Sequence, residues 1–118
     1  MAKKRKPDQP PASAPARPPE PFADDLFAAE IGGVMETDLH GLRLDEARAE
    51  IERFIHAAFI AGERAGRIVH GRGAGALRQE THRLLAAYQK NGIVAAYRDA
   101  QDSGQIGGVT VFALSTGK

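Results

Sequence analysis

The sequence predicts a small α+β domain, a two-layer sandwich in which two helices cover one face of a four-stranded mixed sheet. Two longer segments with helical periodicity separate short apolar segments that are typical of strands. The last two strand-like segments follow each other with only a glycine-rich connection between them, which favours a hairpin. A length of 118 residues fits one domain.

The elements are predicted in the order strand, helix, strand, helix, strand, strand. The strands cover 34–39, 67–70, 93–99 and 109–114. The first helix runs over 45–61 with Asp45 as its N-cap, and the second begins at Ala76 and ends at Asn91. Two helical crossovers predict parallel pairing among the early strands, and the closing hairpin adds an antiparallel pair.

The N-terminal segment differs in composition from the rest. All seven prolines lie within the first 21 residues, among Ala, Lys and Arg. Such a segment buries too little apolar surface to offset its ordering entropy, so residues 1–30 are predicted to be a disordered tail and 34–118 the folded domain. A basic run at 3–6 could contact phosphates, but its composition favours a solvated segment. A weakly apolar patch, formed by Phe22, Leu26, Phe27 and Ile31, suggests a short helix that docks on the domain.

Composition excludes several classes of site. There is no cysteine, which rules out disulfides, thiolate metal sites and cysteine nucleophiles. No apolar run is long enough to span a bilayer, and no apolar segment follows the basic start as in a signal peptide. A cytoplasmic protein without membrane contact is therefore expected. Sixteen Lys and Arg against fifteen Asp and Glu mean that any positive surface must come from placement.

A glycine-rich loop between the second strand and the second helix is the strongest candidate site. Glycines allow a ligand close to the backbone, and amides at a helix start bind anions. Arginines in and after the loop would support them, and His70 could transfer a proton near neutral pH. The predicted phosphate-binding residues are Gly71, Arg72, Gly73, Gly75 and Arg78, with Arg43 from the earlier helix start. A tight connection without a ligand is the alternative interpretation of the same loop.

A second motif ends the first strand. Asp38 and His40 alternate with Thr37 and Leu39, so the acid and the histidine point to one side of the strand. Neighbouring parallel strands end at one sheet edge, where open α/β sheets bind ligands. We therefore expect Asp38 and His40 to converge with His70. His56 is expected to have a structural or surface role, and His82 to lie on the exposed side of its helix.

The two motifs resemble those of the Smr (small MutS-related) domain family, which also occurs as stand-alone bacterial proteins. The resemblance rests on Thr37-Asp38-Leu39-His40-Gly41 and on the segment from Val69 to Arg78, with a closing Gly107-Gly108-Val109-Thr110-Val111. It implies the fold of the C-terminal domain of translation initiation factor three. It also implies a nicking endonuclease or a binding module for DNA or RNA.

Asp38, His40 and His70 are the predicted catalytic residues. The histidines would act as general acid and base, and Asp38 would orient a histidine or bind a metal ion. A single carboxylate favours one divalent ion, magnesium or manganese, or none. Two other hypotheses remain open at this point. One is a non-catalytic module that binds nucleic acid or the ribosome, and the other is a protein-interaction domain with a purely structural loop.

Overall fold

A four-stranded mixed sheet organises the structure. The computed structural model describes residues 22–73, 75–101 and 107–115. The elements in chain order are α1 (Ala23–Ile31), β1 (Met35–Asp38), α2 (Leu44–Ile60), β2 (Ala65–Val69), α3 (Ala76–Lys90), β3 (Val94–Asp99) and β4 (Val109–Leu114). Among these helices there is none of the length and apolar character that crossing a membrane requires.

The strand order in the sheet is β1-β2-β4-β3. β1 and β2 are parallel, and β4 lies antiparallel to both of its neighbours. The mixed sheet is therefore confirmed, as is parallel pairing of the first two strands. β3 is separated from β2 because β4 occupies the place between them, and all six residues of β4 are buried.

Helices α2 and α3 cover one face of the sheet, as predicted. Their apolar stripes meet alternate residues of the strands in the larger core, which includes Ile51, Phe54, Ile55, Leu85 and Phe112. The rings of Phe54 and Phe112 pack edge to face with centroids 6.0 Å apart. Gly66 makes room for them, because a Cβ at this position would lie 2.7 Å from Phe112 Cζ.

A buried carboxylate ties the two helices together. Arg48 Nε on α2 donates a hydrogen bond to Glu80 Oε2 at 2.8 Å, and Arg83 Nε donates to Glu80 Oε1 at 3.1 Å. The hydrogen bond from Arg83, together with that from Arg48, lowers the pKa of Glu80 to about 2. Glu80 therefore stays ionised between its two arginines at neutral pH.

The start of α2 differs from the prediction. The N-cap is Arg43, and Asp45 lies within the first turn. The side chain of Glu46 reaches back, so that its Oε1 accepts a hydrogen bond from the Arg43 N–H at 2.9 Å. This is the reciprocal half of a capping box, and it fixes the helix start before Asp45.

Helix α1 covers the second face of the sheet, so a third helix is added to the two predicted. Leu26 and Ala29 pack against Val109, Val111 and Ala113 of β4 in a second buried cluster. A disordered tail as far as residue 30 is therefore wrong for 23–30, and the suggested short docking helix is confirmed. Residues 1–21, with the basic run at 3–6, lie outside the described residues.

A buried arginine fastens the end of α1. Arg67 Nη1 on β2 donates hydrogen bonds to the carbonyl oxygens of Ala29 and Glu30, at 3.1 and 2.9 Å. Carbonyls in the last turn of a helix lack intrahelical partners and carry partial negative charge, so a guanidinium satisfies them well.

Replacing Leu26 with alanine should destabilise the domain. Leu26 is fully buried, and truncating such a leucine removes buried contacts and leaves a cavity, at a cost of about 2–5 kcal/mol. Denaturant unfolding measures the free energy. Phe27→Ala is the control, because the Phe27 side chain is exposed on the same helix. Equal stability of the Leu26→Ala and Phe27→Ala proteins would contradict the packing of α1.

Candidate functional site

Both sequence motifs lie at one edge of the sheet. β1 and β2 are parallel neighbours that end there, and α2 and α3 begin there. The Leu39 N–H donates a hydrogen bond to the Val69 carbonyl at 2.7 Å, just before the glycine loop begins. The predicted convergence of the two strand ends is confirmed for the backbone.

The start of α3 forms a small pocket with the glycine loop. The pocket has a volume of about 110 Å³ and is lined by His70, Gly71, Gly73, Gly75, Ala76, Leu77 and Arg78. Gly75 is the N-cap residue, with φ +94°, and within the described part of the chain no side chain caps this helix. The first turn carries no acidic residue. Its free N–H groups therefore retain the partial positive charge that attracts anions.

The glycines of the loop differ in what they do. Gly71 turns the chain with φ +80°, and its N–H already donates to the Gly108 carbonyl at 3.0 Å. While that bond is made, Gly71 supplies no amide to a phosphate. Gly73 is exposed, and a Cβ added there would meet no atom within 4 Å. The backbone at Gly73 is thus open to a ligand, and Ala74 lies outside the described residues.

His70 is buried at the back of the loop, with 4% of its surface exposed. Its Nδ1 lies 3.1 Å from the Gly71 carbonyl oxygen, and its Nε2 lies 2.8 Å from Thr110 Oγ1. Burial lowers the pKa of His70, although the Gly71 carbonyl and the charge of Asp99 act in the opposite direction. His70 is therefore neutral at pH 7, and both ring nitrogens have partners.

Three further polar residues, outside both motifs, complete this site. His82 Nε2 lies 2.9 Å from Asp99 Oδ1 and 3.1 Å from Thr110 Oγ1. The expectation that His82 lies on the exposed side of α3 is wrong, because its ring faces β3 and β4. A signal was present in the sequence, since Arg78 and His82 are four residues apart and share a helix face.

The arginines have different surroundings. Arg78 forms an ion pair with Asp99, and this hydrogen bond lowers the pKa of the Asp99 carboxyl. Arg72 is exposed on the loop. Arg43 is exposed at the start of α2, where its Nη2 lies 3.5 Å from Asp45 Oδ2. Arg78 thus stands beside the pocket with much of its charge balanced by Asp99.

Asp38 and His40 are both exposed at the end of β1. Asp38 Oδ1 accepts a hydrogen bond from the His40 N–H at 2.9 Å. Asp38 is in register with Val69, which packs on the α1 side of the sheet, whereas the next residue, His70, faces α3. In the described residues no hydrogen bond joins either side chain to His70. Strand register therefore separates the acid from His70 although the backbones are adjacent.

Metal ligands are sparse in the described residues, which contain no group of three or more His, Asp or Glu able to hold an ion. Asp38 would supply one carboxylate oxygen. A magnesium ion bound there would need water and phosphate oxygens for its remaining positions, an arrangement that magnesium commonly adopts.

Folding stability should decrease as the pH falls below about 6.5, the ordinary histidine pKa, because His70 binds a proton more readily when unfolded. The contribution is fully present above that pH and is lost as the pH falls towards the lower pKa of folded His70. Proton NMR titration should show His70 titrating below 6.5, and unfolding at stepped pH should show the loss. His56→Gln, which changes an exposed histidine, should keep this pH dependence. A His70 pKa at or above 6.5 would contradict the burial of its ring.

Comparison with known proteins places the chain in a family. Residues 37–115 match the Smr domain. Similar proteins include an endonuclease MutS2 of Solidesulfovibrio magneticus, 35% identical over 88 residues, which are 74% of this chain and 11% of the relative. An endonuclease MutS2 of Maridesulfovibrio salexigens is 41% identical over 80 residues, which are 68% of this chain and 10% of the relative. The chain thus spans about a tenth of the length of these relatives.

Two solved structures share the fold. The Smr domain of Thermus thermophilus MutS2 is 37% identical with a TM-score of 0.62, covering 69% of this chain and 98% of that domain. YdaL, a stand-alone small MutS-related protein from Escherichia coli, is 24% identical with a TM-score of 0.64, covering 78% and 75% of the two chains. With both motifs at one sheet edge and residues 37–115 matched, the chain belongs to the Smr domain family.

Proposed function

We propose that the protein is a nucleic-acid endonuclease that holds a backbone phosphate in the glycine loop and cleaves a phosphodiester bond nearby. The start of α3 carries no acidic residue and no capping side chain among the described residues, and it opens to the pocket beside Gly73 and Gly75. This observation carries the proposal. The names of the MutS2 relatives, which are endonucleases, support the reaction class.

Phosphate binding follows from the charges around the pocket. Helix-start amides favour an anion, and a phosphate oxygen accepts several such hydrogen bonds at once. Arg72 on the loop and Arg43 at the neighbouring helix start are exposed and add positive charge at the same sheet edge. A phosphate chain that crosses this edge would meet all of these groups, whatever its base sequence.

Cleavage requires a base that activates a water molecule and an acid that protonates the leaving oxygen. His40 is the exposed imidazole at this edge, and the bond from its own N–H to Asp38 fixes the turn that carries it. His40 is therefore our candidate for proton transfer at the substrate, and His70 is the candidate for the complementary transfer inside the pocket. Proton transfer by His70 requires one of its two ring hydrogen bonds to open.

Asp38 has one of two roles in this scheme. It positions His40 through the turn, or it provides the single carboxylate of a magnesium or manganese site. When bound, such an ion would stabilise negative charge on the phosphoryl oxygens.

A non-catalytic module that binds nucleic acid, including the RNA of the ribosome, is the second candidate. The burial and double hydrogen bonding of His70 favour it, because both features suit a positioning role. Either function allows DNA or RNA, since the contacts above involve phosphates alone. With RNA the 2′-hydroxyl could replace water as the nucleophile. A cytoplasmic location remains a prediction.

A cleavage assay separates the two candidates. Purified protein is incubated with supercoiled plasmid and with structured RNA, with magnesium, with manganese and with chelator. His40→Ala should lower the cleavage rate by roughly 10²-fold, the scale of acid–base catalysis, with affinity unchanged. His56→Ala, an exposed histidine on α2, is the control and should cut like the parent.

Three results would overturn all or part of the proposal. A parent that binds nucleic acid but never cuts it supports the binding module instead. A His40→Ala protein that cuts at the parent rate removes His40 from the mechanism, and a parent that binds neither substrate refutes both candidates.

A further inference from the structure

Thr110 lies behind His70, in the closing segment that follows the two motifs, and connects it to two charged or titratable groups. It is fully buried in β4, between Val109 and Val111, which face α1, so its own side chain faces α3. Its Oγ1 lies 2.8 Å from His70 Nε2, 3.1 Å from His82 Nε2 and 3.4 Å from Asp99 Oδ1. One hydroxyl therefore stands among three polar groups and has a single proton to donate.

The acceptors at the two ends of this chain of contacts fix where the protons are. The Gly71 carbonyl can only accept, so His70 Nδ1 carries a hydrogen. Since neutral His70 has one N–H, its Nε2 accepts from the Thr110 hydroxyl. The Asp99 carboxylate also only accepts, so His82 Nε2 carries a hydrogen that is shared between Asp99 Oδ1 and Thr110 Oγ1.

We propose that Thr110, oriented by His82 and Asp99, is a positioning residue that holds the His70 ring so that its Nδ1–H fixes the Gly71 carbonyl and the shape of the glycine loop. The expected effect on phosphate binding rests on the proposed function. The Gly71 N–H is held as well, because it donates to the carbonyl of Gly108, the residue before β4. Both backbone groups of Gly71 are therefore fixed, the N–H by Gly108 and the carbonyl by His70.

The charged groups around His70 agree with this arrangement. Asp99 faces it from β3, and Arg78 and His82 face it from α3. Arg78 holds Asp99 by an ion pair in which its Nε donates to Oδ1 at 3.2 Å, and the same oxygen accepts from His82. With His82 donating to Asp99, the Thr110 hydroxyl is directed to His70. Without His82, Asp99 Oδ1 would draw the Thr110 proton to itself.

A pair of substitutions at Thr110 tests the role of the hydroxyl. Thr110→Val keeps the shape but presents a methyl group to His70 Nε2 and leaves a buried acceptor unsatisfied. Thr110→Ser keeps the hydroxyl. Nitrogen-15 NMR of the histidine side chains reports which ring nitrogen is protonated, amide shifts of 71–75 report the loop, and titration with inorganic phosphate reports its affinity.

In the parent, His70 should be protonated at Nδ1, with that proton protected from exchange. In Thr110→Val the proton should exchange faster, the loop amides should shift, and phosphate affinity should fall about three- to tenfold, the scale of one hydrogen bond. Thr110→Ser should restore all three. A proton on Nε2 of His70 in the parent would overturn the inference. So would a Thr110→Val protein that matches the parent, or one whose loss of phosphate affinity is no larger than that of Thr110→Ser.

If Thr110→Val does not fold, a second variant tests the same role. His82→Leu changes a partly exposed residue and should loosen the His70 proton and the loop in the same direction, whereas parent-like spectra would overturn the inference. A parent that binds no phosphate or nucleic acid refutes the proposed function, and the ligand-free spectra still decide the role of Thr110.

Discussion

Pairing of β4 with both β2 and β3 is the constraint on which the rest of the structure depends. It places Thr110 opposite Asp99 on one side and opposite Ile68 on the other, two residues before His70. The residue before β4, Gly108, accepts hydrogen bonds from the N–H groups of His70 and Gly71. The sheet therefore determines where the glycine loop leaves it. Such an anchor favours ligand binding by the loop, because the loop backbone is ordered during folding and loses less conformational entropy when the ligand binds.

Burial and charge are combined in the same way on both faces of the sheet. On the α1 side, Arg67 donates hydrogen bonds to the last carbonyls of a short helix. Its Nε lies 2.9 Å from Glu36 Oε1. On the α3 side, Asp99 holds Arg78 and His82. In each case a buried or partly buried charged group lies beside a group of opposite charge. Arg72 and Arg43 are exposed at the loop edge, so the charge of a ligand can approach both guanidiniums.

Sequence patterns predicted the parts of the fold that depend on local periodicity. Alternation correctly put Asp38 and His40 on one side of β1 and Thr37 and Leu39 on the other, and the structure shows the first pair exposed and the second buried. The position of β4 could not be predicted in this way, because a hairpin fixes its pairing with β3 and leaves open which strand lies on its other side. For that reason Thr110, Asp99 and His82 were missed as neighbours of His70. The five apolar residues of β4 were a usable sign of burial on both faces, and hence of α1.

If a phosphate approaches the backbone at Gly73, a side chain at this position should weaken its binding, and an alanine substitution measures this effect. A Cβ at Gly73 meets no atom of the described residues within 4 Å, and the residue does not have a left-handed φ, so Gly73→Ala should leave stability unchanged. Gly33→Ala is the matched control, with equal space for a Cβ, in the segment before β1. The affinity of both variants and the parent is measured with one oligonucleotide at fixed salt. We expect a loss of about tenfold for Gly73→Ala alone, the scale of one charge-assisted hydrogen bond. Parent-like affinity of Gly73→Ala would contradict it.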